Sequence, residues 1–461
     1  MLIYNNLVIN WNSDRYKPFL FNVISGRRRF LSAEEYELIK ELIDEKEPAE
    51  EAKLLAEKLI FEKQFITEEM REEIEKELVV TGYWNNRDEY ATDYRFSIEL
   101  TRDCNMKCAF CYAGNRGKAE TMTRERIDAI YAFYEKYADD KSKIQETPYI
   151  RITGGEPLIC KESAMLVGYI ADKWKNVKLH LFTNAVNLLK YYEVLPLDRL
   201  DEVEISLDGP IEVHLKHRFG KDIPNKAIFS DIIAGIKKLL ADDVKVRINT
   251  VLDRDNYRYF GELREFLYKE NILNNPNCSQ LVCVAMDFKN ELNINELVNN
   301  MHDVKMIEKY LEQYNVAPMT FQSEAKLKSI ISREENKPYM PKCTRCRKEK
   351  LANYFFACDG KVYHCDCIED DIGVVGEFYP NAKIYDDKID ELYNSTILAD
   401  PKCKACTYKY VCLGGCPLGA RTKGKETDCG IFAHEEMLDN LEFDYYGLLE
   451  YRGREETYEA H

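Results

Sequence analysis

Residues 101–112 read Thr101-Arg102-Asp103-Cys104-Asn105-Met106-Lys107-Cys108-Ala109-Phe110-Cys111-Tyr112, with the cysteines spaced Cys-x3-Cys-x2-Cys. At this chain's cysteine frequency, such a triple arises by chance in roughly 0.02 chains of this length, so the spacing needs a chemical reason. Three thiolates in one loop suit zinc or an iron–sulfur cluster. A structural zinc site wants a fourth Cys or His nearby, and none lies within this loop. Three ligands on a four-iron cluster leave one iron open for a substrate.

The loop follows Arg95–Thr101, which reads as a strand. Five more candidate strands follow: Tyr149–Thr153, Val177–Thr183, Val203–Asp208, Val244–Val251 and Gln280–Met286. Several are continuous apolar or β-branched runs, as expected of parallel strands covered on both faces. Helical patterns lie between them, among them Arg124–Tyr137, Ser163–Trp174 and Ile228–Leu240. Strand–helix alternation over residues 91–290 predicts an α/β domain, a partial (β/α)6 barrel closed or nearly closed. In such folds the reactive groups sit just after the C-terminal ends of the strands.

Cysteine placement carries the next signal. The chain has 16 cysteines in 461 residues. Three lie in the loop and most others lie beyond residue 342, so they cluster like ligands instead of scattering like small buried hydrophobes. Cys160, Cys278 and Cys283 stand apart and read as packed thiols. The N-terminus has no basic and apolar signal segment, and no apolar run reaches the ~18 residues of a membrane span. We therefore expect a cytoplasmic protein without a membrane partner, whose thiols are kept reduced for metal binding or catalysis. A net charge of −16 repels phosphate backbones and argues against a nucleic-acid partner.

Residues 1–90 contain no cysteine. Leu2–Ile9 and Pro18–Ile24 read as strands with Ser25-Gly26 as the turn. Ser32-Ala33-Glu34-Glu35 is a capping box opening a helix to about Ile43, and Ala49–Phe61 and Thr67–Leu78 are further helical patterns. Together they suggest a small winged-helix-like module. Residues 291–335 read as a helical bridge, and residues 336–461 as a cysteine-rich domain held by metal, with an acidic terminal helix.

The Cys-x3-Cys-x2-Cys loop after the first strand, with an aromatic before its third cysteine, resembles the radical S-adenosylmethionine (SAM) superfamily. The resemblance implies that Cys104, Cys108 and Cys111 hold a [4Fe-4S] cluster whose open iron chelates SAM. Reductive cleavage of SAM then gives a 5′-deoxyadenosyl radical that abstracts hydrogen. Phe110 and Tyr112 sit where the family contacts adenine. Thr153-Gly154-Gly155-Glu156-Pro157 after the second strand is similar to the family's GGEP motif, where glycines admit the SAM ammonium and Glu156 offers an acceptor. Thr183-Asn184-Ala185 stands where the family often has Thr-Asn-Gly. Ser206-Leu207-Asp208-Gly209-Pro210 comes after the fourth strand, followed by His214 and Arg218. Ser206 is the ribose candidate and Arg218 the carboxylate candidate, though singly each also reads as a cap or a surface charge. Asn249 and Val251 are cofactor candidates at the mouth of the fifth strand.

Cys403, Cys406, Cys412 and Cys416 have the spacing Cys-x2-Cys-x5-Cys-x3-Cys, expected by chance in roughly 7 × 10⁻⁴ chains. With Cys346, Gly360, Cys365 and Cys429 the region resembles the SPASM domain, which binds two auxiliary [4Fe-4S] clusters. The resemblance implies one cluster on Cys346, Cys365 and Cys416 with Cys343 as fourth ligand, and another on Cys403, Cys406, Cys412 and Cys429. Cys358 or Cys367 could replace Cys343, and two zinc ions are the alternative reading of these thiols. Asp366 stands where sulfatase-maturing relatives place a substrate base, a role that burial near a cluster would favour. The other reading is an Asp in a Cys-Asp-Cys turn.

Position, size and element order make residues 1–90 similar to the precursor-peptide recognition element of ribosomal-peptide maturases, which adds a leader peptide as a strand. An N-terminal decoration packed on the barrel is the other reading. The resemblance implies a peptide-modifying oxidoreductase that crosslinks a ribosomally made precursor peptide, read here as a thioether. Its partners would be that peptide with its leader and an electron donor such as flavodoxin or ferredoxin. An anaerobic sulfatase-maturing, formylglycine-generating enzyme is the alternative, and a non-enzymatic iron–sulfur carrier a third.

Overall fold

The computed structural model describes residues 8–13, 16–22, 28–44, 48–61, 72, 76, 95–111, 120–137, 149–285, 301–316, 354–365, 373–388 and 400–405. These fall into two compact units: the described residues up to 76 with 400–405, and residues 95–316 with 354–388.

The first unit opens with β1 (Val8–Ser13), β2 (Tyr16–Asn22) and β3 (Arg28–Phe30), antiparallel in that order. β1 runs later than its apolar residues suggest, because pairing of Val8 with Asn22 and Ser13 with Tyr16 carries the strand through polar positions. The three-residue β3 is too short to show alternation in sequence. The expected Ser25-Gly26 turn lies outside the described residues. Helix Ala33–Asp44 begins at the capping box: Ser32 Oγ accepts from the Glu35 amide at 3.0 Å, and a Glu35 carboxylate oxygen accepts from the Ser32 amide at 3.0 Å. Leu31, Ile39 and Leu59 are buried between this helix and Glu50–Phe61. Of the expected helix Thr67–Leu78, only residues 72 and 76 are described, both helical.

The second unit is built on six parallel strands: β4 (Arg95–Glu99), β5 (Tyr149–Thr153), β6 (Lys178–Thr183), β7 (Leu200–Ser206), β8 (Lys245–Leu252) and β9 (Cys278–Val284). Every neighbour in this order is parallel. Strands and helices match their sequence patterns to within a few residues; helices Arg124–Tyr137, Lys161–Lys173 and Ala227–Ala241 lie between the strands. Four short strands continue the sheet beyond β4: β10 (Phe355–Phe356), β11 (Lys361–Tyr363), β12 (Val374–Glu377) and β13 (Lys383–Ile384). β10 pairs parallel to β4, and the rest are antiparallel. Residues of the cysteine-rich region thus extend the barrel's own sheet, which stays open with β9 and β13 as edges among the described residues.

The two sheet faces differ in chemistry. Phe96 packs on Tyr134 and Trp174 of the helical layer, and its register partners Ile150 and Leu179 are buried with it. Side chains alternate along strands, so the opposite face carries the row Ser97, Arg151, His180, Glu202 and Lys245. The row above it includes Phe182, Glu204 and Arg247. Among the described residues no helix is long and apolar enough to cross a membrane.

Removing the Ser32 cap leaves a helix-terminal amide unsatisfied. Ser32→Ala should destabilise the first unit by about 1 kcal/mol. Hydrogen exchange of the Ala33–Asp44 amides should quicken accordingly, while amides of β4–β9 keep their protection.

Candidate active site

The cysteine loop leaves β4 through a pinched base. Thr101 bridges Thr121, the Arg102 amide donates to the Glu120 carbonyl at 2.9 Å, and the Met122 amide to the Leu100 carbonyl at 2.8 Å. Met106 anchors the loop by burying its side chain against Leu215 and Phe219. The Lys107 amide donates to the Arg218 carbonyl at 2.8 Å. Cys104 and Cys111 are exposed, Cys108 is half-buried, and all three thiols are free. Burial raises the pKa of Cys108, whereas the neighbouring Arg218 cation lowers it.

The Gly-Gly turn after β5 lies directly on this loop. Gly155 donates its amide to the Thr101 carbonyl at 2.7 Å, and Glu156 donates its amide to the Asp103 carbonyl at 2.8 Å. A Cβ on Gly154 would lie 2.4 Å from the Thr101 oxygen, and one on Gly155 2.4 Å from the Asp103 oxygen. Gly154 also has φ +149°, which L side chains rarely adopt. Both glycines therefore serve a backbone-to-backbone contact with the cysteine loop.

Glu156 turns inward and is 1% exposed. Its carboxylate accepts from the Leu158 amide at 2.8 Å, the Thr183 hydroxyl at 2.6 Å and the Asn184 amide at 2.6 Å. Burial raises its pKa to about 7, against these three hydrogen bonds, which favour the charged form. Thr183 and Asn184 are thereby fixed at the end of β6, and Asn184 Nδ2 donates to Asn105 Oδ1 at 2.7 Å. Ala185 follows at φ 60°, a left-handed position that costs a residue with Cβ about 1 kcal/mol.

On the other side of the loop stands a buried ionic cluster. Arg218 donates through Nε and Nη2 to the two oxygens of Asp208, with Nη2–Oδ1 at 2.8 Å. Its Nη1 is left facing Cys108 Sγ, 3.8 Å away. His217 bridges Asp208 at 2.7 Å and Asp253 at 3.0 Å. Burial opposes ionisation of Asp208, but Arg218 and His217 overcome it and hold the carboxyl below its usual range. Burial likewise opposes a charge on His217, yet Asp208 and Asp253 raise it to about 9. Phe110 packs against both cations, 4.6 Å from the His217 ring and 5.0 Å from the Arg218 guanidinium. The Val251 amide donates to Asp208 at 2.9 Å, and Asn249 Nδ2 to Glu204 at 2.7 Å. Asn249 Oδ1 is a buried acceptor without a donor among the described residues. Ser206 ends β7 beside Asn249, half-buried.

The sequence candidates Cys104, Cys108, Cys111, Phe110, Gly154, Gly155, Glu156, Thr183, Ser206, Arg218, Asn249 and Val251 thus gather at one end of the sheet. Tyr112, Cys343, Cys346, Asp366, Cys367, Cys406, Cys412, Cys416 and Cys429 lie outside the described residues. Cys365 and Cys403 are both buried, in different units. Cys358 donates its thiol to the Glu99 carbonyl at 3.2 Å, and its amide to the Glu99 carboxylate at 3.0 Å. That carboxylate also pairs with Arg102 at 3.2 Å, and Arg102 pairs with Asp359 at 3.2 Å. Cys160, read as a packed thiol, is instead the N-cap of helix Lys161–Lys173. Sequence reasoning passed over Asp208, His217 and Asp253 as functional groups. Their signal was present: His214, His217 and Arg218 fall on one helix at i, i+3 and i+4, and Asp208 directly follows a strand.

Among the described residues no three His, Cys, Asp or Glu converge on a position for one metal ion. The three thiols are soft donors on a single loop, with Arg218 and Phe110 beside them; this donor set fits a cluster with one thiolate per iron and an open iron.

Gly155→Ala should push the Asp103 carbonyl, and with it the cysteine loop, out of register at a cost of about 1–3 kcal/mol. The variant should lose iron on desalting after anaerobic reconstitution, while a variant of an exposed glycine outside the site keeps it. Iron per chain and thermal unfolding measure both effects.

Residues 98–267 match the model of the radical SAM superfamily. A GTP 3′,8-cyclase of Campylobacter jejuni subsp. doylei is 30% identical over 155 residues, which is 33% of this chain and 45% of that enzyme. The chain therefore spans less than half the length of that curated relative. The fold is similar to anSMEcpe with bound AdoMet, with a TM-score of 0.55 at 17% identity over 77% of this chain and 98% of that one. It is also similar to Streptococcus suis SuiB bound to the precursor peptide SuiA, with a TM-score of 0.51 at 15% identity over 92% of this chain and 97% of that one. Residues 98–267, with their open parallel sheet and three-cysteine loop, thus have the fold of the radical SAM superfamily, whose model they match.

Proposed function

We propose that the chain modifies a ribosomally made precursor peptide, abstracting hydrogen from one residue and installing a crosslink, read as a thioether. The observation that carries this reading is the reach of the fold likeness. The cyclase match covers 33% of the chain, whereas the likeness to the peptide-bound SuiB covers 92%. A peptide substrate accounts for the residues outside the barrel, which a shared radical machinery alone leaves without a task. The β1 and β3 edges of the first unit would take the leader as an added strand. A second reading is the one that the sulfatase-maturing resemblance implies, oxidation of a peptide Cys or Ser to formylglycine; the fold likeness to anSMEcpe with a bound Cp18Cys peptide is compatible with it.

Cys104, Cys108 and Cys111 would hold the SAM-binding [4Fe-4S] cluster. When bound, the cluster and SAM supply a one-electron cleavage that yields a carbon radical able to take hydrogen from an unactivated position. Around it, Phe110 offers a ring face to adenine and Arg218 Nη1 a donor to the SAM carboxylate. Glu156, Thr183 and Asn184 brace the loop. Cys346, Cys365, Cys416 and Cys343, and Cys403, Cys406, Cys412 and Cys429, would hold the two auxiliary clusters, and flavodoxin or ferredoxin would donate the electron for SAM cleavage. Crosslinking removes two hydrogens from the peptide, one as an atom taken by the carbon radical and one as a proton plus an electron, which an iron–sulfur cluster would accept. Asp366 is our candidate for the proton acceptor.

Co-expression with a small peptide encoded beside the gene tests the reading by mass spectrometry. Loss of two hydrogens with no new carbonyl is the expected result; an aldehyde would favour formylglycine instead, and an unmodified peptide with turnover of GTP would contradict both. Asp366→Asn should keep 5′-deoxyadenosine formation but lower crosslinked product about a hundredfold, as loss of a positioned base does.

A further inference from the structure

Among the described residues, one arginine on the helix-free face of the sheet makes no ion pair with a carboxylate. Arg247 pairs with Glu202 at 2.8 Å and approaches Glu204 at 3.9 Å. Glu204 accepts a hydrogen bond from Asn249 Nδ2 at 2.7 Å. Lys178 and Lys245 share Asp201 at 2.8 Å and 3.3 Å, and His180 meets the same carboxylate at 3.3 Å. Arg151, in the middle of β5, has no such partner among the described residues. Its guanidinium lies over the Phe182 ring, 5.1 Å from the centroid, which leans it toward the site end of the sheet. Glu204 feels its charge, but directs its oxygens to Asn249 and Arg247 on β8. A half-buried guanidinium has five N–H donors in a planar fork matched to a carboxylate, and stacking on an aromatic leaves that fork free at its edge.

We propose that Arg151 is a substrate-recognition residue that receives one carboxylate of the peptide substrate on the concave face, below the radical site. This rests on the peptide reading of the function. The charge arithmetic of the face favours a single carboxylate over a polyphosphate. One cation is unmatched among the described residues, and a triphosphate would bring several negative charges against Glu202 and Glu204. The Phe182 ring suits a peptide carboxylate as well, since it covers the apolar stem that carries the acid.

The test uses the full chain, anaerobically reconstituted with SAM, and three small probes read by saturation-transfer NMR at low salt. They are N-acetylaspartate N-methylamide, N-acetylalanine with its terminal carboxylate, and the neutral N-acetylasparagine N-methylamide. GTP is the fourth arm. At least one carboxylate probe should bind about ten- to a hundredfold tighter than the neutral one, the range of a charge-assisted hydrogen bond. Which carboxylate wins tells side chain from chain terminus. Arg151→Gln should erase that preference and Arg151→Lys should keep part of it, with iron content unchanged as the check on folding. Equal binding of charged and neutral probes to the wild type, or no binding of either carboxylate, would overturn the proposal. A preference that survives Arg151→Gln would overturn the proposal and leave the peptide reading standing. Arg151-dependent binding of GTP without a carboxylate preference would overturn the proposal together with the peptide reading.

Discussion

A carboxylate sealed from water must spend its charge inside the protein, and Glu156 spends it on the ends of two strands. Its oxygens accept from the Leu158 amide in its own turn, and from Thr183 and Asn184 after β6. The same turn gives two backbone amides to the cysteine loop after β4. Three successive strand ends are thereby fixed to one another before any ligand arrives. A loop that must offer three thiols in a set geometry gains from this, because ligand placement otherwise costs conformational entropy on binding. The two glycines follow from the same constraint, since no Cβ fits between the turn and the loop.

The Asp208 cluster does the corresponding work on the opposite side. Its carboxylate fixes Arg218, His217 and the Val251 amide, and through the first two it clamps Phe110. A buried carboxylate with two cationic partners stays ionised, so the guanidinium remains held in one orientation toward Cys108. Glu99 extends the bracing outward. It ties Arg102 of the cysteine loop to the Cys358 turn, and so joins that loop to a segment that sequence alone assigns to another domain.

The six parallel strands were legible because short apolar or β-branched runs recur in regular alternation with longer helical patterns. The cysteine loop was legible because thiols at fixed spacing are rare. β10–β13 were not, since strands of two to four residues carry no period. Asp208, His217 and Asp253 look like an ordinary turn acid, a helix histidine and a cap; only the fold brings them within hydrogen-bonding distance. Glu156 shows a subtler limit. Its motif marks the right turn, yet the sequence suggests a side chain facing a ligand, whereas the structure gives the carboxylate three internal partners. Arg151 is a similar case: its row on the sheet is predictable from alternation, but that no described carboxylate forms an ion pair with it emerges only when the partners of Arg247, Lys178 and Lys245 are traced.

The central claim is that the loop of Cys104, Cys108 and Cys111 carries reductive SAM chemistry. It is tested most directly by reducing the anaerobically reconstituted protein in the presence of SAM and quantifying 5′-deoxyadenosine over time. The account predicts steady accumulation with the wild type and none above background with Cys104→Ala, Cys108→Ala or Cys111→Ala. Accumulation at the wild-type rate in any of these variants, or none in an iron-loaded wild type, would contradict it.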